Sequence, residues 1–306
     1  RNLLREGSVF PYGMTAENCQ AGRCWDEVDR RHDLAGLARA AAEHNAAHAA
    51  TKRGVAVMPV CFGISFTNTM LNQAGALVHV YTDGSVGVST GAVEMGQGVN
   101  QKIRRIVAVT LGVDLDRVRL ETTNTTRVAN TSPTAASTGA DLNGMAARLA
   151  CRQITDRLRA VAAARLGEVD PATVSIADGC VHLSGARTGL VWEQLVTAAY
   201  QARVDLAAHA HYATPRLHFD KSQEKGRPFA YHVYGAAVVE VTLDVLRGVA
   251  TVDAVRLVHD VGRSLDEAID RGQIEGALAQ GLGWMLLEDV RWDGQGRLLH
   301  DTAGKC

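Results

Sequence analysis

Twice in this 306-residue chain a strand hairpin leads into a glycine-rich turn carrying a glutamine, and the turn leads into a helical pattern. In the first case, strands expected over 78–82 and 86–90 flank Asp83-Gly84, the strongest short hairpin signal in the chain. Gly91-Ala92-Val93-Glu94-Met95-Gly96-Gln97-Gly98 follows, and residues 99–111 then have helical period. In the second, strands over 236–243 and 250–258 flank Arg247-Gly248. A turn at 259–264 and a Gly-spaced helix come next, the helix opened by 269–277 with Gly272-Gln273 and running to Leu287. Hairpins and helices that interleave without regular βαβ alternation predict an α+β fold, with mixed or antiparallel sheets packed with helices.

Between the two repeats stands the least bulky stretch of the chain, 130–144, immediately before a long helix expected over 141–166. Small residues ahead of a helix leave its first-turn N–H groups unshielded at the positive end of the dipole, worth roughly half an elementary charge. Two readings are open. Either Ser132 or Thr134 caps the helix, or an anionic ligand sits there. If this loop converges with the two Gly-Gln turns, they form a pocket of backbone N–H groups and neutral amides, with Gln97 and Gln273 both at helix beginnings. Such a pocket suits a large phosphate-bearing cofactor held without covalent attachment. The glycine spacing fits neither the dinucleotide fingerprint nor the Walker motif.

The folded body begins with an apolar run at 55–60. Its continuation over 62–67 places Phe62, Ile64 and Phe66 on one face, as core or as a wall for a flat ligand. Further strands are expected at 117–123, 173–176, 181–184 and 209–213, and a helix at 191–203. A strand-like segment at 296–299 precedes the final Ala303-Gly304-Lys305-Cys306. Residues 1–52 read as a helical linker from a preceding domain, helical over 26–50, and 53–306 as the main domain, in two α+β subdomains of about 53–204 and 205–306. Gly276, Gln280 and Gly283 fall near one side of the last helix, where close packing or a ligand would have to offset about 1 kcal/mol per glycine.

A formal net charge of -1 and 21% charged residues give no electrostatic case for nucleic acid or an anionic membrane. No run has the length of a membrane span, and a cytoplasmic protein with reduced thiols is the expectation for six scattered cysteines. Cys19 and Cys24 lack further metal ligands nearby, and Cys151 reads as core. His209 and His211 would share a strand face, with His218 following, but have no acidic companion. The absent initiator Met and the abrupt end suggest a piece of something larger.

Four motifs now bear on one another: Phe62-Gly63-Ile64-Ser65-Phe66, Glu94-Met95-Gly96-Gln97-Gly98, Asn130-Thr131-Ser132-Pro133-Thr134-Ala135-Ala136-Ser137 and Gly272-Gln273-Ile274-Glu275-Gly276. In order and spacing they resemble the molybdenum-binding part of xanthine dehydrogenases, in the xanthine oxidase and aldehyde oxidase family. Arg23-Cys24-Trp25-Asp26 and Leu71-Asn72-Gln73-Ala74-Gly75 look like that family too. The resemblance covers nearly the whole chain. It implies a molybdopterin (molybdenum cofactor) domain, cofactor contacts at Met95, Gly96, Gln97, Gly98, Ser137, Thr138, Gly139, Ala140 and Gln273, and substrate contacts at Phe66, Ala135 and Ala136. Gln97 would stand near the molybdenum, with no direct metal ligand from the chain.

The reaction implied is oxidation of xanthine and hypoxanthine to urate with a water-derived oxygen. Electrons would leave through iron-sulfur clusters and FAD, on other domains or subunits, to NAD, in an oligomer of heterodimers. Aldehydes or other N-heterocycles are the alternative substrates, and a non-catalytic scaffold is the alternative role. Two family elements are absent: the Gly-Glu-Pro general base, expected downstream, and the Arg-Gly-Phe-Gly-Gly segment, expected upstream. The chain alone is therefore expected to hold no catalytic residue and to be inactive, since loss of an acid-base group lowers rate by roughly 10²-fold to 10⁴-fold. Gly139 and Ala140 stand where animal family members carry hydroxyls, so contacts there would come from backbone N–H groups. Asp266-Glu267 replaces the usual Asn-Pro ahead of the last helix, favourably for its dipole.

Overall fold

Ala21, Cys24 and Val28 recur at helical spacing, and the first helix, α1 (Ala21–His32), buries all three. Asp33 ends it in a left-handed conformation (φ 46°), and its carboxylate accepts the Gly36 N–H at 2.9 Å to start α2 (Leu34–Ala47). The computed structural model describes residues 2–121 and 123–300. After the two helices come β1 (Thr51–Ile64), β2 (Gln73–Val80), β3 (Val86–Thr90), α3 (Val99–Leu111), β4 (Val118–Leu120) and α4 (Gly139–Arg165). A small hairpin layer follows, β5 (Val174–Ala177), β6 (Cys180–Leu183) and β7 (Ala186–Val191), then α5 (Trp192–Gln201) and β8 (Ala207–Ala213). The last elements are β9 (His218–Asp220), β10 (Lys225–Arg227), β11 (Tyr231–Asp244), β12 (Val249–His259) and α6 (Glu267–Leu286).

The main sheet has the order β4-β3-β2-β8, antiparallel except for the parallel β3–β4 pair. Val78, Val88 and Val118 are fully buried on it, facing Ile103, Val107 and Leu111 of α3 and Ala146, Ala150, Ile154 and Leu158 of α4. Each such Val, Ile or Leu contributes roughly 1.5–3 kcal/mol by leaving water. The second sheet, β1-β11-β12, is antiparallel, and α1 covers it through Tyr234, Ala236 and Val238. Helices on mixed and antiparallel sheets are the α+β arrangement the hairpin pattern predicts. Strands cross between the two halves of the chain, because β1 pairs with β11 and β8 with β2.

Several boundaries differ from those read from the sequence. The strand expected at 55–60 runs from Thr51 to Ile64, since every residue of it pairs with β11 from Asp244 to Tyr231. It does not continue to 67: Ser65 turns to φ 151°, and the Asn72 side chain takes up the Phe66 N–H at 2.8 Å and donates to its carbonyl at 2.9 Å. Phe62 is 54% exposed rather than core. The long fourth helix starts at Gly139, two residues early, and β7, β9 and β10 were not foreseen. The strand over 117–123 shortens to β4, with Thr122 outside the described residues. At 296–299 only a single bridge forms, between Trp292 and Leu298, and residues 303–306 also lie outside the described residues. His209 and His211 do share the exposed face of β8, and Cys151 is buried.

Trp192 ties this body together. It is fully buried, its Nε1 donates to the Gly84 carbonyl at 2.8 Å, and its backbone N–H donates to the Gly179 carbonyl at 2.9 Å, so two hairpin turns meet at one indole. Trp192→Ala is expected to lower stability by about 3–5 kcal/mol, read as a shift of the urea midpoint.

Candidate functional site

The chain leaves β3 at Thr90 and passes Gly91 and Ala92 into the first Gly-Gln turn. Thr134 of the small-residue loop reaches across, its Oγ1 accepting the Val93 N–H at 3.0 Å. Loop and turn therefore lie side by side, and α6 closes the third side where Gln273 Nε2 donates to the Gly96 carbonyl at 3.4 Å. A cavity of about 460 Å³ forms among them. Met95, Gly96 and Gln97 line it from the turn, and Ala135, Ser137, Gly139 and Ala140 line it from the loop and the start of α4. Gln273, Val99, Lys102 and Thr134 complete the wall. Four of the residues singled out in the sequence stand elsewhere. Gly98 is the N-cap of α3 with φ 73°, where a Cβ would lie 2.7 Å from Ile269. Thr138 is buried, donating its hydroxyl to the Ala135 carbonyl at 3.1 Å. Phe66 and Ala136 do not line the cavity.

Two helices begin here, and their N-termini differ. Glu94 occupies that of α3, its carboxylate accepting the N–H groups of Gly96 at 3.0 Å, Gly98 at 2.8 Å and Asn100 at 3.0 Å. Burial opposes ionisation of Glu94, but these backbone donors outweigh it and hold the carboxyl below its ordinary 4.5. Sequence reading missed this role; the signal was an acid four residues ahead of the N-cap glycine. The start of α4 is open instead. Neither Ser132 nor Thr134 caps it: the N-cap is Thr138, which makes no side-chain cap bond, and no acceptor among the described residues meets the N–H groups of Gly139, Ala140 or Asp141. Ahead of it, Ala136 (φ 53°) and Ser137 (φ 57°) are both left-handed, at a cost of roughly 1–3 kcal/mol each. The Thr138 N–H turns back to the Ala135 carbonyl at 3.2 Å, so the unpartnered donors are those of the first turn of α4.

The side chains are arranged around that opening. Gln97 is tethered to its own turn, its Oε1 accepting the Met95 N–H at 2.6 Å and its Nε2 donating to the Val93 carbonyl at 2.8 Å. One amide hydrogen and one lone pair remain for a ligand. Gln273 does not stand at a helix beginning: Asp266 caps α6, accepting the Ile269 N–H at 3.2 Å, and Gln273 falls within the second turn. Lys102, another residue the sequence did not single out, bonds Asp270 at 2.6 Å, and Asp270 also accepts the Ser264 hydroxyl at 2.5 Å. Burial raises the Asp270 carboxyl, but those two donors bring it below the usual range. In the first turn of α4, burial pushes the Asp141 carboxyl up against the opposing effects of Tyr231, whose hydroxyl donates at 2.6 Å, and of Lys102. Of the glycines of α6, a Cβ at Gly272, Gly276 or Gly281 would touch nothing within 4 Å among the described residues, whereas one at Gly283 would lie 3.0 Å from the Glu288 carboxylate.

An uncapped helix start, flanked by Gln97 and Gln273 and approached by Gly96 and Gly139, is an arrangement chemically suited to a phosphate-bearing ligand. The family described as "Molybdopterin cofactor-binding domain" matches residues 27–306, and the chain belongs to that family. Among curated relatives it is 42% identical over 291 residues to xanthine dehydrogenase of Oryza sativa subsp. japonica, covering 95% of this chain and 20% of the relative. It is 39% identical over 297 residues to xanthine dehydrogenase/oxidase of Gallus gallus, covering 97% of this chain and 20% of that one. The chain thus spans about a fifth of the length of these relatives. Among solved structures, quinoline 2-oxidoreductase from Pseudomonas putida 86 superposes with TM-score 0.80 at 23% identity, over 98% of this chain and 38% of that one. A Cu,Mo-CO dehydrogenase superposes with TM-score 0.82 at 19% identity, over 98% and 39%. At those identities the likeness is one of fold.

Because the folded value of Glu94 is depressed, its contribution is full above the ordinary 4.5 and is lost as pH falls through the folded value. The carboxylate is solvent-exposed, so the effect is modest, about 1 kcal/mol. Wild type is expected to exceed Glu94→Gln in stability by that amount near neutrality, and the two urea midpoints should converge as pH falls below 4.5 and through the folded value. A gap independent of pH would contradict the capping role.

Proposed function

We propose that this chain holds the molybdenum cofactor of a molybdenum hydroxylase that oxidises xanthine and hypoxanthine to urate. What carries the reading is the open N-terminus of α4 behind the left-handed Ala136-Ser137 pair, in one cavity with Gln97 and Gln273. These residues fit molybdopterin. The N–H groups of Gly139 and Ala140 would take the phosphate end, in keeping with the lack of hydroxyls there. Gln97 would use its remaining amide hydrogen beside the molybdenum, and Gln273 would hold the pterin edge. Met95 would cover the cofactor from the turn, with Gly96 and Gly98 allowing close approach, and Ser137 and Thr138 would fix the loop. Ala135, Ala136 and Phe66 would bound the substrate. When bound, the cofactor supplies a two-electron oxidation that places a water-derived oxygen on an electron-poor ring carbon.

The chain's own part is recognition and orientation. Among the described residues the cavity wall holds no carboxylate, so on this reading a general base would have to come from elsewhere in the protein. The partners proposed are iron-sulfur and FAD domains or subunits passing electrons to NAD, within an oligomer of heterodimers in the cytoplasm. Residues 1–52 would join the preceding domain to the cofactor domain over 53–306. Among the described residues, no helix is long and apolar enough to cross a membrane.

Gln97→Ala in the full-length subunit tests this reading. Molybdenum per subunit, measured by mass spectrometry of the purified protein, is expected to fall at least tenfold, roughly the loss of a buried hydrogen bond together with the turn it ties. Unchanged molybdenum content would sink the assignment.

A further inference from the structure

A second concavity, of about 1260 Å³, lies between the later turns of α3, the middle of α4 and the turn before α6. Five arginines line it, Arg105, Arg148, Arg152, Arg159 and Arg263, against two acids, Asp114 and Asp156. That local excess of three positive charges stands in a chain of formal net charge -1. Arg105 pairs with Asp266 at 2.9 Å, and Arg159 stands 3.9 Å from Asp156. Arg148, Arg152 and Arg263 make no ion pair or side-chain hydrogen bond among the described residues. On α4, positions 148, 152, 155 and 159 share one face over about 16 Å, and like charges four residues apart disfavour the helix that carries them. The arrangement lacks a counter-charge.

An independent observation lies at the floor of the same cavity. Thr155 is 7% exposed, and its Oγ1 is buried without a hydrogen-bond partner; the Arg159 Nε is buried and unpartnered as well. A buried polar group left unpaired costs about 1–3 kcal/mol. Apolar side chains complete much of the lining beside Thr110 and Ser264, and two of them are open to solvent, Val109 82% and Leu265 40% exposed.

We propose that this cleft binds a small molecule carrying a di- or triphosphate. Guanidinium forks match phosphate oxygens in pairs, and Arg148, Arg152 and Arg263 hold the phosphates at the rim. One phosphate presents three or more acceptor oxygens on a single centre, enough to serve Thr155 and Arg159 at the floor while meeting the rim arginines; a peptide carboxylate has two. The Val109 and Leu265 side chains cover an uncharged portion of the ligand. This site is separate from the cavity at Gln97, and its test needs neither molybdenum nor turnover.

The test is isothermal titration of the full-length protein containing this chain with inorganic pyrophosphate, then with adenosine diphosphate, in about 0.15 M chloride. One saturable site per chain is expected. Thr155→Val should weaken it roughly tenfold, and the pair Arg148→Ala with Arg152→Ala roughly a hundredfold. Arg39→Ala, on the remote α2, should leave it unchanged. Tighter binding of adenosine diphosphate assigns a nucleotide; equal binding assigns a free oligophosphate. No saturable binding, as when another part of the protein covers the cleft, overturns the proposal. So does binding that both variants leave intact, or that sulfate displaces equally well. Should the arginine pair fail to fold, the near-isosteric Thr155→Val decides.

Discussion

Close packing of α4 against α3 and the main sheet is the constraint on which the rest depends. The inner face of α4 is built from Ala146, Ala147, Ala150 and Gly144, and a methyl at Gly144 would collide with the Ile106 side chain of α3. Small residues let the two axes come near, and both helices then start at one cavity, with a Cβ on Gly139 lying 3.5 Å from Val99. Two positive dipole ends are brought together, each worth roughly half a charge. Glu94 neutralises one with a carboxylate from the chain itself. The other has no acceptor among the described residues. Thus the open helix end follows from core packing as much as from the loop that faces it.

How much of this was legible depends on the range of the forces involved. The Asp83-Gly84 hairpin and α3 were readable because turn chemistry and helical period are local, and α3 has the limits its pattern predicts. The extent of β1 was not, since its first and last residues are strand only because β11 offers partners along their whole length. Likewise β9 and β10 are three residues each, too short for a pattern. Ala21, Cys24 and Val28 show helical spacing in the sequence, but what they cover, Tyr234 and Ala236, lies more than 200 residues away. In the site, the glycines and glutamines were found by type. Their division of labour was hidden, because whether Gln97 faces a ligand or its own turn is decided by backbone direction at Met95 and Val93.

The three walls of the cavity are held by different forces. Two belong to the main core, where α3 and α4 bury apolar side chains completely. The third, α6, buries no residue and is attached through polar contacts in its first two turns, Asp266 with Arg105, Asp270 with Lys102 and Gln273 with Gly96. Surface ion pairs contribute little, about 0–1 kcal/mol, and even the shielded Lys102–Asp270 pair carries a desolvation cost. By local stability, then, α6 is the wall that opens most easily.

That weakness links the two cavities. Ser264 lines the arginine cleft, and its hydroxyl donates to the Asp270 carboxylate that also receives Lys102 from the cofactor pocket. Asp270 thus stands between a strongly basic concavity and a pocket whose own surplus is positive dipole. Removing its charge would leave Lys102 with Asp141 as its remaining acidic neighbour beside an open helix N-terminus, and removing Lys102 would leave Asp270 with the Ser264 hydroxyl. Lys102, Asp270 and Asp141 are thus coupled charges beside the open start of α4. The Lys102–Asp270 pair belongs to α3 and α6, whereas the unpartnered N–H groups and Asp141 belong to α4.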